Sequence, residues 1–126
     1  YALSLALENQ RPTEKVRQVV FITDGVVGNE AMLFDFIKTH LGQSRLFTVG
    51  IGSAPNSHFM TDAALLGKGT DTYIGNLSEV KREMTALFKR LKSPLLTDIK
   101  IDFNGAPVET YPEHIADLYA GEPLVV

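Results

Sequence analysis

Asp24 lies between a hydroxyl and a glycine in Val19-Val20-Phe21-Ile22-Thr23-Asp24-Gly25. A carboxylate beside a hydroxyl at a turn offers hard oxygen donors of the kind a divalent cation takes. The same aspartate could instead only cap the turn or the next helix, a role short acidic side chains often fill. Other chemistries fail on spacing. Gly67-Lys68-Gly69-Thr70 lacks a phosphate loop's Ser or Thr directly after the lysine, and Asp62 stands where its first glycine is needed. Gly50-Ile51-Gly52-Ser53-Ala54-Pro55 starts like a dinucleotide fingerprint, but Pro55 replaces the third glycine. Ser53 lacks the glycine pair of a nucleophile elbow. His40, His58 and His114 show no zinc spacing. With no acid–base pair composed anywhere, a non-enzymatic protein is expected.

The elements that would position Asp24 follow from hydropathy. Residues 19–23 are β-branched or aromatic without polar alternation, which predicts a strand covered on both faces, as in a parallel α/β sheet. Ligands of such sheets gather outside the carboxyl ends of the strands, where Asp24 would sit. Leu33, Phe36, Ile37 and Leu41 repeat at helical spacing after Asn29, a candidate cap. Gly42 ends that helix, and Lys38 and His40 in its last turn complement the dipole. Residues 46–52 predict a second buried strand, followed by the Ser53-Ala54-Pro55-Asn56 loop and a helix over 57–66. Strand, loop, helix, strand, loop, helix is the pattern of a right-handed parallel sheet.

Phe21-Ile22-Thr23-Asp24-Gly25-Val26-Val27-Gly28-Asn29-Glu30, with Thr48-Val49-Gly50-Ile51-Gly52 and Asn56, resembles the von Willebrand factor type A (VWA) domain. Among its branches the chain looks most like the bacterial relatives of inter-alpha-trypsin inhibitor heavy chains, which carry a VIT domain ahead of the A domain. The resemblance runs from Tyr1 to about Pro94, and more weakly through Leu124. It implies an α/β, Rossmann-like three-layer fold over residues 1–94, incomplete in its first strands, and a short β-hairpin segment over 95–126.

The family's metal-ion-dependent adhesion site uses three loops: Asp-x-Ser-x-Ser, a Thr loop, and the Asp of Thr-Asp-Gly. Only the third has a counterpart, at Asp24. Asp98, Asp102 and Asp117 are each followed by the wrong residues for the first loop. Residues Tyr1 to Glu8 look like the helix after the Thr loop, so the chain is expected to be the later part of a larger A domain.

Composition sets outer bounds. At 126 residues and 44% hydrophobic content the chain suits one globular core. No run approaches the ~18 apolar residues of a membrane span, so direct membrane insertion is not expected. The absence of cysteine removes disulfides and thiolate metal sites. A net charge of −3 gives no footprint for nucleic acid. Leu77, Val80, Met84, Leu87, Phe88 and Leu91 mark the clearest amphipathic helix, with Asn76 or Ser78 as its cap. Its apolar stripe is expected to face the core, and Lys81, Arg82, Lys89, Arg90 and Lys92 to form a solvated face.

Beyond Pro94 the pattern turns to plain β. Ile99, Ile101 and Phe103 alternate with Asp98, Lys100 and Asp102, a half-buried strand leading to the hairpin turn Asn104-Gly105. Pro107 marks the returning strand as an edge. Residues 111–114 and 120–123 read as turns, and 124–126 as the start of another strand. The acids of this tail, Asp98, Asp102, Glu109, Glu113, Asp117 and Glu122, are expected on a solvated surface.

The resemblance implies a protein-interaction or adhesion module, secreted or at the cell envelope. In the intact domain it would carry Mg2+, Mn2+ or Ca2+ with Asp24 as the third-loop ligand, and an acidic side chain of a protein partner would complete the shell. Thr23 and Gly25 would shape the turn; Gly52, Ser53 and Asn56 would border the face. Asp24 alone cannot hold Mg2+, so binding by this chain is expected to be weak or undetectable by calorimetry. The alternative is a structural or oligomerisation scaffold with a vestigial metal face. Strand edges and helix faces left uncovered by missing strands are expected to drive self-association.

Overall fold

The computed structural model describes residues 2–8, 15–53, 56–110, 115, 117–121 and 123. Ala2–Leu7 forms α1, Gln18–Thr23 β1, Glu30–His40 α2, Arg45–Ile51 β2, Ser57–Leu66 α3 and Asp71–Ile74 β3. A 3-10 turn over Leu77–Glu79 runs into α4, Val80–Leu91, followed by β4, Pro94–Leu96, and β5, Leu118–Tyr119. β1, β2 and β3 form one parallel sheet in that order, in register from Gln18↔Arg45 to Thr23↔Gly50 and from Thr48↔Asp71 to Ile51↔Ile74. β4 and β5 pair antiparallel.

Strand alternation sorts the core into two halves. On one face Leu46 packs with Leu3 and Leu7 of α1, Ile37 of α2, and Phe59, Met60 and Ala63 of α3. The Thr48 hydroxyl on that face donates to the Met60 carbonyl at 2.8 Å, satisfying a fully buried polar group. On the other face Phe47, Val49 and Ile74 pack against Leu87 and Leu91 of α4 and against Tyr119. Helix, sheet and helix therefore stack in three layers, the α/β Rossmann-like class expected.

Several local expectations need correcting. β1 is half-buried, and Ile22 is 49% exposed. Among the described strands β1 is an edge, so α4 covers β2 beside it while Ile22 lies beyond that cover. Asn29 precedes α2 but adopts φ 55, ψ 46 and makes no side-chain cap bond. A short polar side chain tolerates that left-handed geometry, and the turn requires it. Gly42, also at φ 55, ends α2 as glycine commonly does. Leu77 and Phe88 of the α4 stripe are exposed rather than packed on the core. Residues 98–103 form no strand, because no neighbour among the described residues receives them. The turns read at 111–114 and the strand at 124–126 lie outside the described residues.

The glycines rejected as a phosphate loop have a structural role. A Cβ on Gly67 would collide with Leu46 Cβ, and one on Gly69 with the Leu46 carbonyl oxygen. The turn between α3 and β3 packs directly on the start of β2, where Leu46 N–H donates to Gly67 O at 2.9 Å. Only residues without side chains allow that approach.

Candidate functional site

β1 and β2 are parallel and in register, so their following loops leave the sheet side by side. Asp24 directly follows β1, is exposed, and has no hydrogen-bond or ion-pair partner among the described residues. Its turn is closed locally: Gly25 N–H donates to the Thr23 hydroxyl at 3.3 Å, and that hydroxyl lies 3.4 Å from the Gly25 carbonyl. Gly52 follows β2 at φ 102, a conformation L side chains rarely take. Its N–H donates to Ile74 O at 2.9 Å, and its carbonyl accepts from the Tyr73 hydroxyl at 2.8 Å. β3 thus pins the loop from two sides, and Ser53 stays exposed beyond it.

Asn56 ties the two helices behind these loops. Its Oδ1 accepts from Phe59 N at 3.2 Å, which caps α3, and its Nδ2 donates to Glu30 Oε1 in the first turn of α2. One side chain therefore fixes both helix N-termini beneath the face. The structure brings Thr23, Asp24, Gly25, Gly52, Ser53 and Asn56 to the same end of the sheet. Glu30 and Tyr73 join these residues although no motif marks either of them. Glu30 was visible as a first-turn acid, but nothing in the spacing of Tyr73 pointed to Gly52.

Hard cations take six or more oxygen donors. No group of three His, Cys, Asp or Glu that could hold a metal occurs among the described residues. Asp24 brings one carboxylate, Glu30 is engaged by Asn56, and the Thr23 hydroxyl is engaged by Gly25. By themselves these residues do not fit a divalent site. The histidines are local: His40 stacks on Phe36 with centroids 4.1 Å apart, and His58 lies 3.6 Å from Asp62 one turn on. His114 lies outside the described residues.

The opposite end of the sheet holds a group the sequence reading misjudged. Asp117, expected in solvent, is buried against Arg45. Arg45 Nε donates to Asp117 Oδ2 at 2.6 Å and its NH2 to Oδ1 at 3.3 Å, while NH1 donates to Gln43 O at 3.2 Å. A planar guanidinium matches a carboxylate in this forked geometry. Tyr119, two residues on, sets its ring edge against Phe47 with centroids 6.0 Å apart. Burial, with the Asp117 charge as a second cause, raises the Tyr119 pKa above the ordinary tyrosine value. Smaller opposing effects come from Gln18, Arg45 and Arg90.

No family model matches the chain. Over 121 residues it is 29% identical to a von Willebrand factor A domain-containing protein of Dictyostelium discoideum, a match covering 95% of this chain and 15% of that protein. Von Willebrand factor A domain-containing protein 5B1 of Mus musculus is 22% identical over 112 residues, 86% of this chain and 9% of that protein. These matches support a von Willebrand factor type A domain. The VWA likeness agrees with the parallel β1–β2–β3 sheet and its two helical layers. Protein mono-ADP-ribosyltransferase PARP4 of Mus musculus is 26% identical over 92 residues, 71% of this chain and 5% of that protein. The chain thus spans 15% or less of the length of the relatives described here.

Proposed function

We propose that this chain is part of a protein-interaction module whose contact face is the carboxyl end of the β1–β2–β3 sheet. The observation that supports it most is the exposed Asp24 carboxylate beside a loop held by Gly52, Tyr73 and Asn56. A charge presented at a locally closed turn, next to a loop anchored at Gly52 and Asn56, meets a partner with a reduced ordering cost. Relatives named for the VWA domain favour the same reading. In this reading Asp24 is one donor to a divalent cation held by the intact domain, and a carboxylate on the protein partner is the group that face would select.

Calorimetric titration of Mg2+ and Mn2+ into the parent protein and its Asp24→Ala form tests this. Saturable binding lost with the substitution supports the cation-dependent face. No binding by the parent protein retires the cation and leaves a scaffold role as the better account.

A further inference from the structure

α4 carries two different charge arrangements. Arg82 is neutralised on its own helix by Glu79 at 3.2 Å and Glu83 at 2.9 Å. Lys81, Lys89 and Lys92 have no ion-pair partner among the described residues, and they surround Met84, Thr85 and Phe88 at the rim of a shallow hollow of about 520 Å³. Lys81, Thr85, Phe88, Lys89 and Lys92 recur at steps of one turn and form an exposed stripe, with half-buried Met84 among them packed on its inner side against the core. Phe88 is 50% exposed in it, whereas Leu87 and Leu91 are buried on the core side.

The segment after β4 has the opposite charge balance. Asn104 at φ 55 and Gly105 at φ 77 form a tight turn closed by Ala106 N–H donating to Phe103 O at 3.1 Å. The turn is the kind that joins hairpin strands. Around it Ile101, Phe103 and Val108 are 43%, 41% and 49% exposed, and none of them lines the hollow on α4. Asp98, Asp102 and Glu109 give the segment an acidic balance against Lys100.

We propose that the Asn104-Gly105 turn segment of one molecule docks on the α4 stripe of a second copy. Phe103 and its apolar neighbours cover Met84 and Phe88, and Asp102 and Glu109 face Lys81, Lys89 and Lys92. Opposite charge and exposed apolar surface on both sides, carried by one chain, favour a second copy over a foreign peptide. The two patches differ, so the contact closes as a pair only if each turn reaches the other helix; otherwise it propagates. This contact is separate from the Asp24 face and stands without it.

Sedimentation velocity of the 126-residue chain over a wide concentration range is the test, run beside Lys89→Glu and Asp102→Lys. The chain is expected to associate, less so at high salt, and each reversal to raise the dissociation constant about tenfold. Mixing the two variants is expected to restore association, because a lysine on one turn then meets a glutamate on the other helix. That rescue cannot come from misfolding. A monomer at all concentrations overturns the proposal, as does association that neither reversal changes.

Discussion

Arg45 and Asp117, 72 residues apart in sequence, meet as a buried fork with Nε 2.6 Å from Oδ2. The pair joins the start of β2 to the residue before β5, and Tyr119 enters the α4 half of the core next to it. Removing Arg45 leaves Asp117 buried without its counter-ion, and removing Asp117 leaves the buried guanidinium only the exposed Asp98, 3.8 Å from its NH2. Asp117→Asn or Arg45→Met is expected to destabilise the chain by about 3–5 kcal/mol in urea unfolding. Arg45→Met combined with Asp117→Leu should recover most of that loss, since it leaves no uncompensated charge. A double variant as unstable as the sum of the singles would show that the site needs the ions themselves.

Tyr119 supplies a pH signature. Its raised folded-state pKa means that the folded chain keeps the phenol proton where the unfolded chain has released it. Stability from this group is therefore full below about pH 10, the unfolded value, and falls as pH rises through the folded value. Tyr119→Phe should flatten that alkaline loss in melts at increasing pH. The phenol oxygen is buried without a hydrogen bond of ordinary geometry among the described residues. At neutral pH the variant should therefore stay within about 1 kcal/mol of the parent.

Gly67→Ala and Gly69→Ala each drive a Cβ into Leu46, at a side chain in one case and a carbonyl in the other. Each should cost about 1–3 kcal/mol, with Gly69 the worse because backbone yields less than a side chain. Gly28→Ala, with open space around its Cβ position, is the control and should melt near the parent temperature.

Asn56→Ala removes the α3 cap and the link to Glu30 together. An expected loss of about 1–2 kcal/mol follows, read by thermal unfolding. Asn56→Asp keeps the cap acceptor but sets a second carboxylate against Glu30, so it should recover only part of the loss. Full recovery would mean that the helix-to-helix link contributes nothing.

Asp24→Ala is expected to change stability by no more than about 0.5 kcal/mol, since the side chain is exposed and touches no described partner. A larger loss would show that Asp24 has a structural role at the turn rather than a role in binding.

The amino-acid sequence was enough to set the α/β class and to place β1, β2, α2, α3 and α4, whereas the short strands β3, β4 and β5 carry no such local signal. Continuous apolar runs mark β1 and β2, helical spacing marks α2 and α4, and the helix expected over 57–66 coincides with α3. The sequence also marks Thr23-Asp24-Gly25, because strand, acid and glycine are a local pattern. What depends on residues far apart in the chain emerged with folding. Sequence spacing could not show that Tyr73 and Asn56 fix the loops around Asp24, because those bonds cross between separate strands and helices. Nor could it show that Asp117 leaves solvent. An aspartate among other acids looks like surface until folding brings Arg45 to it, and only the paired ions make burial tolerable. The same physics explains the failed strand at 98–103: alternation prepares a segment for pairing, but a strand exists only where a neighbour meets its backbone.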